Sequence, residues 1–292
     1  RSEGLRRHLE GLGNYETFGF AGFFGVPICY RPYDSDEELL LCPALFKPKH
    51  VVVEATRPGH EKEAERYDNR SRWHHLGHGL FHDLKGNNFT AYPLIDLFGG
   101  LVGLGFIGKT LFPRAYQRLR GKIRTRLHPH VPTHPMIDHP SVKDEDSALS
   151  SLGFTLTEQA AFVENGLRMM GLTRHFARVV LLCAHGSTTE NNPYAAAYDC
   201  GACGGNHGGP NARVLAAMAN KPAVRGILRE HGVDIPDDTL FIAGEHNTTT
   251  DHVMLLDVEE IPPSHRADIA RLTEHLRQAG MRLAWERAGR LP

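Results

Sequence analysis

Long apolar runs are missing from this chain. No stretch reaches the ~18 consecutive apolar residues that a bilayer-spanning helix requires, and no secretory signal pattern is visible. Cysteine is scarce and odd in number, at five in 292 residues, without regular spacing. That argues against a disulfide framework and for a reducing compartment. Excess charge of one sign is also missing: 33 basic against 34 acidic residues leave a formal net charge of -1. The balance gives no general reason to expect nucleic acid or an anionic surface as a partner. Internal repeats and low-complexity tracts are absent. What remains is a globular composition, 41% hydrophobic and 23% charged, long enough for one large α/β domain or two smaller ones.

The most informative stretch runs from Val179 to Gly209, VVLLCAHGSTTENNPYAAAYDCGACGGNHGG. A partly β-branched apolar run ends at His185-Gly186, the pattern of a buried strand. Ligands of open α/β sheets bind beyond the carboxyl ends of such strands. Fifteen residues after His185 comes Cys200-Gly-Ala-Cys203, then Gly204, Gly205, Gly208 and Gly209. Glycines let the backbone approach itself or a ligand closely. An imidazole at a strand end and a thiolate in a glycine loop are plausible ligands of one zinc ion, which in catalytic sites keeps a position open for water. Other readings stand beside this one. His185 could be an ordinary polar residue. Cys200 and Cys203 could be half of a structural zinc site, although no second Cys-x2-Cys exists, or a redox pair.

Taken in order, Ser2 to Leu12 reads as a helix capped by Ser2 and stopped at Gly13-Asn14. Tyr15 to Tyr30 is aromatic and glycine-studded and suits one or two bent strands. Leu39–Leu45 and Val51–Ala55 suit short strands. His74, His78 and His82 recur every four residues and share a helical face, either a solvated face or a metal stripe; His75 lies beside them. Gly103-x4-Gly108-Lys109-Thr110 fits the P-loop spacing, with Val253–Asp257 as a possible magnesium-bearing strand. The alternative is a buried helix with glycines there by chance. Gln117 to Asp146 is basic, then rich in Pro and His (His128, His130, His134, His139), and reads as a linker or surface excursion. Thr155–Gly171 is an amphipathic helix with Ala161, Phe162, Leu167 and Met170 inward. One or two helices follow from Pro210 to His231, broken at Lys221-Pro222. Asp237–Glu245 reads as a strand leading into His246-Asn-Thr-Thr-Thr-Asp251, and Ser264–Arg287 as a terminal helix. Alternating helices and strands predict an α/β fold with a mostly parallel sheet flanked by helices. The strand ends at His185 and His246 are expected on one edge. The expected organisation is one α/β domain over 1–292, with a helical, His- and Pro-rich insertion at 60–150 and a core segment at 151–260 carrying the His/Cys site.

The segments HGSTTENNPYAAAYDCGACGGNHGGPNARVLAAMAN, IPDDTLFIAGEHNTTTDHV and GNYETFGFAGFFGVPI closely resemble the DabA family of probable inorganic carbon transporter subunits. The resemblance runs in order from Arg1 to about Asp257. It implies a β-carbonic-anhydrase-like core with a zinc site. Its ligands come from a Cys-x-Asp-x-Arg motif and from a distant His and Cys, which fall on His185 and Cys200. The motif's Arg falls on Arg1, so its Cys and Asp are expected before the first residue given, in a longer protein. The resemblance further implies hydration of carbon dioxide to bicarbonate, with the motif Asp paired to Arg1. It implies a proton-conducting membrane partner resembling DabB, and a peripheral location on the cytoplasmic face of the inner membrane. Asp199 and Cys203 are candidate neighbours of the metal. Asn247, Thr248, Thr249 and Asp251 either line the site or cap a turn. Phe98–Phe112 is either a contact with the membrane partner or core packing.

Overall fold

The computed structural model describes residues 2–35, 37–86, 88–127, 131–139, 152–189 and 192–290. It divides into two units, one of Arg1–Ala55 with Pro135–Pro292 and one of Thr56–His134. The first begins with helix α1 (Ser2–Glu10). Strands β1 (Ile28–Arg31), β2 (Leu39–Leu41) and β3 (His50–Thr56) follow. They join β4 (Thr133–Met136) in a sheet of order β2-β1-β3-β4. β1 runs antiparallel to β2 and parallel to β3.

Helix α5 (Leu156–Met169) comes next, then β5 (Val179–Gly186), α6 (Gly209–Ala219), α7 (Pro222–Glu230), β6 (Leu240–Asn247), β7 (His252–Leu255) and α8 (Arg266–Ala288) when the second unit's helices are set aside. β5 and β6 pair in parallel along eight residues, whereas β6 and β7 pair antiparallel. Both sheets are therefore mixed rather than mostly parallel. In the second sheet the physical reason is the tight turn at Thr248–Asp251, which sends β7 straight back beside β6 without a crossover helix; in the first, the short polar loop 32–38 returns β2 beside β1.

Period-two alternation explains the layers of the second sheet. Leu182, Ala184, Phe241 and Ala243 point into the larger core with α5, α6 and α7 residues such as Val163, Leu215 and Val224. Ile242 and Val253 point the other way, against Leu5, Leu9, Ile269, Leu272, Leu276 and Leu283 of α1 and α8. Helix α5 starts at a reciprocal cap: Glu158 N–H donates to Thr155 Oγ1 (3.3 Å), and Thr155 N–H donates to the Glu158 carboxylate (3.0 Å). Its buried residues include Ala160, Val163 and Leu167, while Ala161 faces solvent. Arg213 of α6 ties the sheets together, donating to Glu54 of β3 at 2.6 Å and to both carboxylate oxygens of Asp257 at 2.8 Å.

The second unit carries three helices, α2 (Glu61–Gly86), α3 (Asn88–Leu111) and α4 (Pro113–Leu127). Three expectations change here. The Gly103–Thr110 stretch lies inside continuous α3 with no strand before it. Thr110 Oγ1 donates to the Phe106 carbonyl one turn back (2.9 Å). Backbone amides engaged in helix bonds cannot cradle a phosphate, so the P-loop reading is excluded. α3 is not buried, because Leu97, Leu101, Val102, Leu104 and Phe106 are each at least 65% exposed. The segment expected as a linker forms α4 and β4 instead, and His134 lies in that strand. His128 and His130 lie outside the described residues. The helical face of His74, His78 and His82 belongs to α2.

The contact between α8 and the β6–β7 turn depends on Gly280. A methyl there would overlap the Asp251 carbonyl oxygen. Asp251 itself is buried and held at φ 58°. Gly280→Ala is expected to cost ~1–3 kcal/mol through overpacking, read as a lower urea midpoint without a change in slope.

Candidate functional site

The parallel register of β5 and β6 sets His185 directly beside His246. Neighbouring strands lie about 4.8 Å apart, so two imidazoles emerge side by side at the strand ends. β5 ends there because Gly186 is followed by a polar segment whose groups bond sideways. The Ser187 amide and hydroxyl both donate to Asp199 Oδ1, at 2.7 and 2.8 Å. The loop then returns to the sheet, as Gly208 N–H donates to the His185 carbonyl (3.1 Å).

Within that loop the chain folds tightly around Cys200. Its amide donates to the Asn206 carbonyl (3.0 Å), and its own carbonyl accepts from Cys203 (2.9 Å) and Gly205 (3.0 Å). Both thiols are buried. The Cys203 thiol donates to Cys200 Sγ at 3.0 Å. This bond, with a further one from His185, pulls the Cys200 pKa down to about 5 against the opposing effect of burial. Cys203 is pushed up, chiefly because it holds the shared proton and also by burial. Of the two thiols, Cys200 is therefore the more acidic. Gly22 covers it: a Cβ there would stand 2.5 Å from Cys200 Sγ and 3.6 Å from His185 Cδ2. Gly22, far off in sequence, thus meets the strand end and the loop at one sulfur.

His246 is buried, and burial lowers its pKa; Asp251 Oδ1, 3.3 Å from Nε2, opposes this. Arg287 of α8 holds the other Asp251 oxygen at 2.6 Å. On the opposite face of the strand, Glu245 accepts from Gly209 N–H at the start of α6 (3.0 Å) and meets His207 Nδ1 at 2.7 Å. Asp199 lies 3.5 Å from His207 Nε2. The Glu245 bond, followed by the pull of both carboxylates, raises the His207 pKa despite partial burial.

His185 and Cys200 are therefore brought together. Arg1 lies outside the described residues. Asp199 organises the loop through Ser187, and Cys203 serves Cys200. Asn247, Thr248 and Thr249 cap the turn. Asn247 Oδ1 accepts from Thr249 N–H (3.1 Å) and Thr250 N–H (3.3 Å), while Thr248 Oγ1 donates to the Gly186 carbonyl (3.3 Å). Asp251 alone of that group turns in to a histidine. The His207–Glu245 pair escaped sequence reasoning. Its only signal was a polar residue within GNHGGP, just before the proline of a helix start.

The donor types suit zinc, for which thiolate and imidazole are usual ligands. Among the described residues, however, no group of three or more His, Cys, Asp or Glu side chains could hold a metal ion. His185 and Cys200 could supply two donors, fewer than zinc requires.

A family model described as "Probable inorganic carbon transporter subunit DabA" matches residues 1–292. A protein of Sorangium cellulosum described as "Probable inorganic carbon transporter subunit DabA 2" is 48% identical over 99% of this chain and 28% of its own length. Proteins described as "Probable inorganic carbon transporter subunit DabA" from Salinibacter ruber and Legionella pneumophila (strain Lens) are 43% and 39% identical. They cover 98% and 96% of this chain and 35% and 36% of their own lengths. The chain thus spans about a third of these relatives. No solved structure matches.

Two outcomes follow from the electrostatics. Cys203→Ala removes the thiol donor, so the Cys200 titration, followed by thiolate absorbance near 240 nm in metal-free protein, should move upward from about 5. Because the folded pKa is depressed from 9.0, its stabilisation is full above the unfolded value and fades as pH falls towards about 5. His207 has the opposite sign: its contribution is full below the unfolded value of 6.5 and fades as pH rises through the raised one. Glu245→Gln should lower the His207 pKa, read by NMR titration of its ring protons.

Proposed function

Because the chain belongs to the DabA family, we propose that it carries part of the reaction centre of an inorganic carbon transporter subunit, a zinc-dependent, carbonic-anhydrase-like site that turns carbon dioxide into bicarbonate. The observation that supports this most is the meeting of Cys200 Sγ and the His185 ring against Gly22 at the end of β5. These two residues would hold the metal. Zinc, when bound, makes water a nucleophile at neutral pH by lowering its pKa.

The remaining donors would come from the Cys and Asp of the family's Cys-x-Asp-x-Arg motif, whose Arg falls on Arg1. The sheet order supports this, since β5 pairs on one edge only among the described strands. A further strand on the free edge would end beside His185. Arg1 would pair with the motif Asp and hold it away from the metal.

The other residues act on charge and protons. The Cys203 thiol and His185 keep Cys200 ionised. Gly22 excludes bulk from the pair. His246, tied to Asp251 and Arg287, stands beside His185 through the strand register. Hydration of carbon dioxide releases a proton, and His207, with Glu245 and Asp199 around it, is a half-exposed group suited to pass it to solvent. In the cell the subunit would work with a DabB-like proton-conducting membrane partner. An ion gradient would then make bicarbonate formation effectively one-way. Its place would be the cytoplasmic face of the inner membrane, bound peripherally.

The test is zinc content and growth at low carbon dioxide of the full-length protein with its partner. His185→Ala and Cys200→Ser should each lose zinc and growth. Cys203→Ser should lose less zinc than Cys200→Ser, whereas equal loss would indicate a structural site shared by both thiols. Full zinc in the His185→Ala, Cys200→Ser double variant would sink the ligand assignment.

A further inference from the structure

Among the described residues, the second unit presents an apolar surface that no other element covers. Helix α3 reads NFTAYPLIDLFGGLVGLGFIGKTL and carries no charged residue between Asp96 and Lys109. Its large apolar side chains are exposed around the helix rather than along one stripe: Leu97 72%, Leu101 67%, Leu104 67%, Phe106 70% and Leu111 65%. Positions 97, 101, 104 and 111 lie on one face, and Val102 and Phe106 lie off it. Monomers rarely leave so continuous an apolar surface in water, and a helix apolar all round belongs in a core or a bilayer.

The helix is nonetheless not a span. Its uncharged part, Leu97–Gly108, is about 18 Å long at 1.5 Å per residue, short of the ~30 Å hydrocarbon core. Among the described residues no helix is long and apolar enough to cross a membrane. α3 can enter the interfacial layer but cannot traverse it.

Helix α4 follows after a single residue, and its charge is one-sided. It holds Arg114, Arg118, Arg120, Lys122, Arg124 and Arg126 and no acid, in a chain whose 33 basic residues are outnumbered by 34 acids. Arg118, Arg120 and Lys122 are exposed, as are Leu119 and Ile123 between them. A groove of ≈ 510 Å³ between α3 and α4 is lined by Phe98, Leu101, Val102 and Phe106, with Lys109 and Tyr116 at its polar end. A mostly apolar groove lined also by Lys109, with a basic helix following α3, matches an acyl chain with an anionic headgroup. A second copy of the chain fits poorly, because two such basic helices would face each other.

We infer that α3 and α4 form a membrane-surface anchor, in which α3 lies in the interface of the bilayer and α4 binds anionic phospholipid headgroups. Apolar burial supplies the attachment, and the basic helix selects the lipid. The inference rests on the membrane-associated part of the function proposed above and not on its zinc chemistry.

Flotation of the full-length protein, without its membrane partner, on phosphatidylcholine vesicles with and without 30% phosphatidylglycerol tests it. Binding is expected on the anionic vesicles, weakened by 0.5 M salt and weak on neutral ones. The Arg118→Gln, Arg120→Gln, Lys122→Gln variant should lower the partition coefficient on the order of 100-fold. Leu101→Ser with Phe106→Ser should abolish flotation, with an unchanged circular dichroism spectrum showing that both variants fold. Equal binding to both vesicle types would overturn the headgroup assignment. No flotation of the parent protein, with capture by the membrane subunit in detergent, would overturn the lipid anchor and make the surface a protein interface. Both failures leave zinc content and the His185 and Cys200 assignments untouched, so they are distinguishable from failure of the proposed reaction.

Discussion

Everything at the candidate site depends on the parallel ladder between β5 and β6. Its eight in-register pairs decide that His185 stands beside His246, and that Glu245 faces the opposite layer where it meets α6 and His207. A slip of one residue would exchange those faces. It would bury Glu245 among the leucines of α1 and α8 and aim His246 at the amino end of α6. The apolar alternation of Leu182, Ala184, Phe241 and Ala243 against Leu181, Ile242 and Val253 makes that slip costly. The core thus sets the spacing of the polar groups above it.

Much of this was legible beforehand, for identifiable reasons. β5 and β6 announced themselves as apolar runs ending in polar clusters, and their shared edge followed from α/β alternation. The break at Lys221-Pro222 separated α6 from α7 because proline lacks the amide a continuing helix needs. The meeting of His185 with Cys200 could be suspected from residue types. The part played by Gly22 could not, because a glycine 163 positions before His185 gives no local sign of what it will cover. Likewise Cys203 looked like a possible second ligand, and only the 3.0 Å separation from Cys200 shows it as the donor that keeps its neighbour ionised.

The misreadings share one cause: local pattern without tertiary context. Gly103 to Thr110 has the spacing of a phosphate-binding loop, yet a phosphate loop is defined by the strand before it. The apolar composition of α3 suggested core packing, because apolar residues are usually inside; the structure leaves them out. The mixed sheets arose because short polar turns such as Thr248–Asp251 return the chain immediately, where alternation alone predicts a crossover. The basic run from Gln117 was visible, but the Pro- and His-rich stretch after it made the whole read as a linker, where the structure has a helix.

The layer over the imidazole face of the second sheet is made from α1 and α8, joined by Arg7 and Glu286 across 279 positions of sequence. A ribosome adding 5–20 residues per second needs roughly 15 to 55 s to cover that distance. For that interval Leu5 and Leu9 have no leucines of α8 to meet, and the face of β5 and β6 that bears His185 and His246 lacks its last layer. Synthesis therefore imposes an order on assembly. The face of the sheet that packs on α6 can form early, whereas closure over the histidines waits for α8. Long contacts of this kind slow folding and prolong the exposure of apolar strands. Demand for chaperones during expression would accordingly concentrate on the period before α8 emerges.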